Sequence, residues 1–143
     1  MQITVEKLKK EDLESYKALI DAGLGPSQPL EVFKARYDPD HPSCHIRVAK
    51  KNGEIIGTLT FYQIDLFTFS FQPTLEIYNV VVAKAHRGSA AAQLLFDDMK
   101  AFAKAHGYVS VAVTCLADAT RAHRFYEKMG FEKLDRERFL LTV

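Results

Sequence analysis

Residues 80 to 95 read Val-Val-Val-Ala-Lys-Ala-His-Arg-Gly-Ser-Ala-Ala-Ala-Gln-Leu-Leu, a run whose small side chains leave the chemistry to the backbone. Val80, Val81 and Val82 are β-branched and suit the end of a buried strand. Four residues then turn the corner, and Arg87-Gly88-Ser89 opens a helix whose first turn carries only small side chains. The first turn of a helix leaves about four N–H groups unpaired, all pointing one way and backed by the positive end of the dipole. Side chains no larger than Ser or Ala at Gly88, Ser89, Ala90, Ala91 and Ala92 let a phosphate approach those amides. The same run also fits a helix that begins on alanines because alanine is the best helix former.

Near the C-terminus the chain reads Arg121-Ala122-His123-Arg124-Phe125-Tyr126-Glu127-Lys128-Met129-Gly130-Phe131. Taken together, the two stretches resemble the GCN5-related N-acetyltransferase (GNAT) superfamily. Its members carry an Arg/Gln-x-x-Gly-x-Gly/Ala pyrophosphate loop after the fourth strand, and a Phe-Tyr-Glu-Lys-x-Gly-Phe segment at the end of a later helix. Here these are Arg87 to Ala92 and Phe125 to Phe131, in the family's order. The strong resemblance runs from His45 to Phe131. It implies one acetyltransferase domain over residues 1–143, acetyl-CoA as cosubstrate, and a small-molecule or peptide amine as acceptor. Family members often pair, so a homodimer is compatible with the resemblance.

Direct attack of an amine on a thioester poses three problems: the amine must lose a proton, the carbonyl oxygen gathers charge, and a thiolate must leave. An alkylammonium has a pKa of about 10.4, so a base keeps the nucleophile available at neutral pH. Counting back from the loop, Glu76 falls where the histone-acetyltransferase branch has its general-base glutamate. An apolar strand around it would desolvate it, which suits a base, although strand ends also often expose one charged residue to water. Other branches place the glutamate two residues later, where this chain has Tyr78. Resemblance makes Tyr126 the acid, since a phenol can give a proton or hydrogen bond to the departing sulfur. An amphipathic tyrosine closing a helix over the core is the structural alternative.

For the oxyanion, the resemblance points to backbone N–H groups of Val80, Val81 and Val82, where the central strand parts from its neighbour and a pantetheine arm binds as a pseudo-strand. Two positions depart from the family. Ala90 stands where the first loop glycine is usual, so the loop must either reach the helix without a left-handed residue there or hold pyrophosphate less well. Ala119 stands where many members have an asparagine that hydrogen-bonds the cofactor arm, with Asp118 and Thr120 as neighbouring substitutes. Both changes also suit a catalytically weak or inactive CoA-binding regulatory module.

Composition narrows the classes. A length of 143 residues with 48% hydrophobic content suits one compact domain. Nineteen basic against eighteen acidic residues leave a formal charge of +1, which gives no footprint for nucleic acid. No apolar run reaches the roughly 20 residues of a membrane span, and the N-terminal residues lack the basic start of a signal peptide, so a cytoplasmic protein is expected. Cys44 and Cys115 are too few for a disulfide framework, and Cys115 is expected inside an apolar strand. His41, Cys44 and His45 lie close together, but a structural zinc site needs about four ligands and no second cluster completes it. No metal is therefore expected.

The elements that must position these groups follow from periodicity. Gln2 to Leu8 alternates as a strand. Leu13, Tyr16, Leu19, Ile20 and Leu24 recur at helical spacing after the acids Glu11 and Asp12, and a short helix over about 29–37 would bury Leu30, Phe33 and Tyr37. Asn52-Gly53 joins strands His45–Lys51 and Glu54–Ile64 as a hairpin. Phe67, Phe69 and Phe71 would share one face if extended, as buried aromatics or as a wall beside the acceptor or a dimer contact. The resemblance implies an acceptor site shaped by residues 24–42 and 65–73. Leu75–Val82 is the central strand, Gly88–His106 a helix stopped by Gly107, and Tyr108–Cys115 a buried strand. A helix capped by Asp118 or Thr120 and a final strand pair, Phe131–Leu134 and Arg138–Val143, complete the chain. The fold class is α/β, a GNAT-like mixed, strongly twisted sheet of about six to seven strands with helices on both faces.

Overall fold

The computed structural model describes residues 2–66 and 72–143. Phe67, Phe69 and Phe71, the expected aromatic wall, lie outside the described residues. Two compact units emerge, Met1–Val113 and Thr114–Val143, and each is described by itself.

The first unit is built on strands β1 (Ile3–Lys7), β2 (Cys44–Lys51), β3 (Glu54–Ile64), β4 (Thr74–Val82) and β5 (Ser110–Val113), side by side in chain order. All neighbours are antiparallel except β4 and β5, which run parallel, so the sheet is mixed. The β2–β3 hairpin turns on Asn52 and Gly53, with φ of 55° and 76°, the left-handed pair that a two-residue turn with the sheet's twist demands. Helix α1 (Leu13–Leu24) follows a 3-10 turn, and helix α2 (Leu30–Arg36) follows Pro29. Helix α3 (Ala91–His106) crosses over from β4 to β5 and ends on Gly107 in the left-handed region at φ 76°.

Alternation along β2 sorts the helices onto opposite faces. Val48 joins Leu13, Tyr16, Leu19 and Ile20 of α1 in one buried cluster, with Ile46 and, from around α2, Leu30, Phe33 and Tyr37 packed against it. His45 and Arg47 point the other way, where they meet Phe102 and Asp98 of α3. Phe61, Leu59, Leu75, Phe96, Leu95 and Met99 are fully buried. Each such side chain stabilises the fold by about 1.5–3 kcal/mol relative to exposure. Gly23 brings α1 close to β4, since a Cβ there would lie 2.4 Å from Val81 Cγ1.

The second unit holds helix α4 (Thr120–Lys128) and irregular chain. The sheet therefore has five strands among the described residues rather than six to seven. Among the described residues, Phe131–Leu134 and Arg138–Val143 are not strands, and Phe139, Leu140 and Leu141 are exposed instead of lining a sheet face. Alternation gives a segment the capacity to pair, but a strand exists only where a second edge accepts its hydrogen bonds. For the same reason β5 stops at Val113, and Cys115 is exposed beyond it rather than inside a strand. Leu24, at the last turn of α1, is also exposed. Neither Asp118 nor Thr120 caps α4; Ala119 occupies the cap with no side-chain bond.

Candidate active site

The chain leaves β4 through a 3-10 turn at Lys84–His86, and α3 begins only at Ala91, three residues later than its alanine content predicts. Gly88 is the reason. It takes φ 84°, which interrupts helical geometry, and it has nothing within 4 Å of where a Cβ would stand. Ala90 has φ −75°, so the loop reaches the helix without a left-handed residue at that position. The Ser89 amide donates to the His86 carbonyl (3.2 Å) and the Ala91 amide to Ser89 Oγ (3.3 Å). The Leu94 amide makes the first helical bond, to the Ala90 carbonyl at 2.9 Å. The amides of Gly88, Ala90, Ala92 and Gln93 have no acceptor among the described residues. Residues 87 to 90 are exposed, Ala92 is half-buried and Ala91 is fully buried. Two of the five amides expected to face an anion are thus used internally, and Gln93 joins the remainder because the helix starts later.

Glu76 is half-buried on β4, opposite Tyr62 of β3, and Tyr62 in turn is opposite Cys44 of β2. The ladder then slips by one residue. Thr60 pairs with Tyr78 but Thr58 pairs with Val81, so β4 carries an extra residue. Asn79 absorbs it at φ 53°, the left-handed conformation that asparagine tolerates better than most residues. On the other side of β4, pairing with β5 ends at Ile77 opposite Val113. From Tyr78 through Val80, Val81 and Val82 the two strands are no longer joined by ladder pairs. A bulge on one edge and a lost partner on the other meet within a few residues of Glu76.

Tyr62 and Tyr78 form an edge-to-face pair with ring centroids 5.4 Å apart and planes at 90°. They line a cavity of about 490 Å³ with Gln63, Ile64 and Asn79. Cys44, with burial second, pushes the Tyr62 phenol up to about 12, and burial first of all pushes Tyr37 up to about 12. These phenols keep their protons at neutral pH. The sequence reading singled out Tyr78 only as a departure and missed Tyr62 altogether. The residue types were visible, but their exposure and pairing depend on the register.

On the opposite face, His45 Nε2 lies 2.6 Å from Gln63 Oε1, Gln63 Nε2 donates to the Tyr108 hydroxyl (2.8 Å), and Tyr108 donates to Asp65 (2.9 Å). The His45 ring stacks on Phe61 at 5.0 Å, and burial holds its pKa below the usual value. His41 Nδ1 instead accepts the amides of Ser43 and Cys44, so the two histidines at the start of β2 have different partners.

In the second unit Tyr126 lies on α4 with its ring between those of Phe125 (5.2 Å) and Phe131 (5.6 Å). Burial, then Cys115, raises its pKa, so the phenol holds its proton at neutral pH. Ala119 is half-buried, and its amide donates to the Leu116 carbonyl at 3.1 Å.

A mixed α/β sheet, bulged on its fourth strand, thus feeds a glycine loop and a helix with open amides. The chain belongs to the acetyltransferase (GNAT) family, whose model matches residues 6–131. The fold is similar to that of an acetyltransferase of Trypanosoma brucei, at 21% identity and TM-score 0.78, covering 99% of this chain and 100% of that one. It is similar to glucosamine-6-phosphate N-acetyltransferase of Arabidopsis thaliana, at 19% identity and TM-score 0.83, covering 99% of each chain. An aminoglycoside 6'-N-acetyltransferase of Acinetobacter baumannii gives 15% identity and TM-score 0.84, again over 99% of each. At these identities the likeness speaks for the fold alone. No curated protein sequence matches the chain. Among the described residues, no helix is long and apolar enough to cross a membrane.

Proposed function

We propose that this protein is an N-acetyltransferase that moves an acetyl group from acetyl-CoA to a primary amine by direct attack on the thioester. The observation that carries the reading is the open set of amides at Gly88, Ala90, Ala92 and Gln93, a short way along the chain from the parted strand that holds Glu76. Those amides suit pyrophosphate oxygens, which need donors and no bulky side chain nearby. Gly88 leaves open the space that a Cβ would fill. An acetyl thioester bound there supplies an acyl group at an activated carbonyl.

The residues then divide the work. Glu76 takes a proton from the acceptor ammonium, directly or through water, and the lone pair of the neutral amine then forms the C–N bond at the thioester carbonyl. Within Val80 to Val82, where β4 is no longer paired with β5, a backbone N–H that points away from β3 offers a donor to the oxygen that gathers charge. As the C–S bond breaks, Tyr126, which burial keeps protonated, gives a hydrogen bond or its proton to the sulfur. Arg87, exposed at the loop, adds a positive charge near the phosphates. Ala119, which the resemblance puts beside the cofactor arm, brings no side-chain donor, and its amide and carbonyl are engaged with Leu116 and His123.

The test is release of CoA thiol from acetyl-CoA in the presence and absence of a panel of primary amines. Amine-dependent release supports the reading. A CoA-induced rise in Tm with no release by any amine would instead support a CoA-binding module without catalysis.

A further inference from the structure

The cleft over Tyr62 and Tyr78 has a charge and shape that select among amines. Its described lining is Tyr62, Gln63, Ile64, Tyr78 and Asn79, none of them cationic, around about 490 Å³. Tyr62 and Tyr78 are 38% and 39% exposed, enough to leave surface for a ligand to cover. They meet at right angles, which makes a corner with one ring face and one ring edge. Glu76, paired with Tyr62 across the ladder, adds a carboxylate on the same face of the sheet.

We propose that this cleft is the acceptor site, and that it takes a primary alkylammonium attached to a flat aromatic or apolar body while rejecting amines that carry a phosphate or carboxylate. The assignment rests on the acetyltransfer reading for its chemistry, but its selectivity comes from the cleft alone. Ring faces carry the negative part of the aromatic quadrupole, so a cation is attracted where an anion is repelled. The Glu76 carboxylate acts in the same direction. A phosphate in this corner would meet a ring face and an acid with no counter-charge among the described lining residues. A flat body stacks on one ring with its edge to the other, and the Asn79 amide, on the bulge, is available to a neutral polar substituent.

Two measurements separate the proposal from its premise. In the first, 2-phenylethylamine, 2-cyclohexylethylamine, phenylalanine and glucosamine 6-phosphate are compared as acceptors, with thiol release as the readout. The expected order puts 2-phenylethylamine first, above its saturated analogue, with both anionic amines at least about tenfold lower in kcat/KM. Tyr62→Leu and Tyr78→Leu should each raise KM for 2-phenylethylamine by roughly five- to tenfold with little change in kcat, while Tyr62→Phe and Tyr78→Phe retain the wild-type KM. In the second, 2-phenylethylamine and 3-phenylpropionate are titrated into the labelled protein without acetyl-CoA, and the Tyr78 and Asn79 amide signals are followed. The amine should shift them and the acid should not. Shifts without thiol release would overturn the catalytic reading and leave the cleft's selectivity standing. Equal use of the anionic amines, unchanged KM in the leucine variants, or shifts caused by 3-phenylpropionate would overturn the selectivity itself.

Discussion

The loop from Lys84 to Ala92 and the strand face around Tyr62, Glu76 and Tyr78 both belong to the first unit, yet they offer opposite kinds of surface. The loop offers main chain: small, exposed residues, one glycine at φ 84° and amides without acceptors. The strand face offers side chains: two crossed rings and a carboxylate, brought together by cross-strand register. A donor shared by a whole family can be held by backbone, which no substitution but proline removes. An acceptor peculiar to one protein has to be read by side chains. The difference predicts that loop mutations act through conformation and strand-face mutations through chemistry.

The largest expected effect tests the strand face. Glu76→Gln should lower kcat about a hundredfold at neutral pH, and less at high pH where the amine loses its proton unaided. A pH–rate profile parallel to wild type would remove Glu76 from the role of base. Next comes the loop. Gly88→Val forces a β-branched residue to φ 84° and fills the space beside the amides, so CoA binding should weaken by about tenfold or more while the acceptor Kd holds. Equal loss of both affinities would mean that the two surfaces are not separable. Tyr126→Phe removes a proton donor but no ring, and should reduce turnover several-fold with the CoA-induced Tm shift retained. Unchanged turnover would retire the acid.

The smallest effect concerns His45, on the opposite face from the rings. Burial lowers its pKa, so the folded chain holds it neutral while the unfolded chain takes up a proton first as pH falls. Its stabilising share is complete above the unfolded value of about 6.5 and is lost as pH drops from there toward the lowered folded value. Tm should therefore decline over that window in the wild type, and less so in His45→Gln. Identical slopes would assign the decline to other groups.

How much of this was legible in the sequence follows the same division. The hairpin at Asn52-Gly53 and the stop at Gly107 were readable because a left-handed residue leaves a local signature. The loop composition at 88 to 92 was readable too, but its end was not. Alanine content favours a helix from residue 88, whereas the φ of Gly88 delays it to Ala91 and brings the Gln93 amide into the open set. Glu76 came from counting along one strand. Tyr62 did not, because its place beside Tyr78 depends on an extra residue at Asn79 that only the paired strands reveal. Arg138–Val143 shows the limit most plainly: its apolar residues read as a strand, and without a partner edge they stand exposed.

The most direct measurement is an amide NMR titration of the labelled protein with CoA. The account predicts that the Gly88, Ala90, Ala92 and Gln93 signals move in a saturable way, with larger shifts than the Ser89 and Ala91 amides already bonded within the loop. Saturable CoA binding that leaves those four signals unmoved would contradict it.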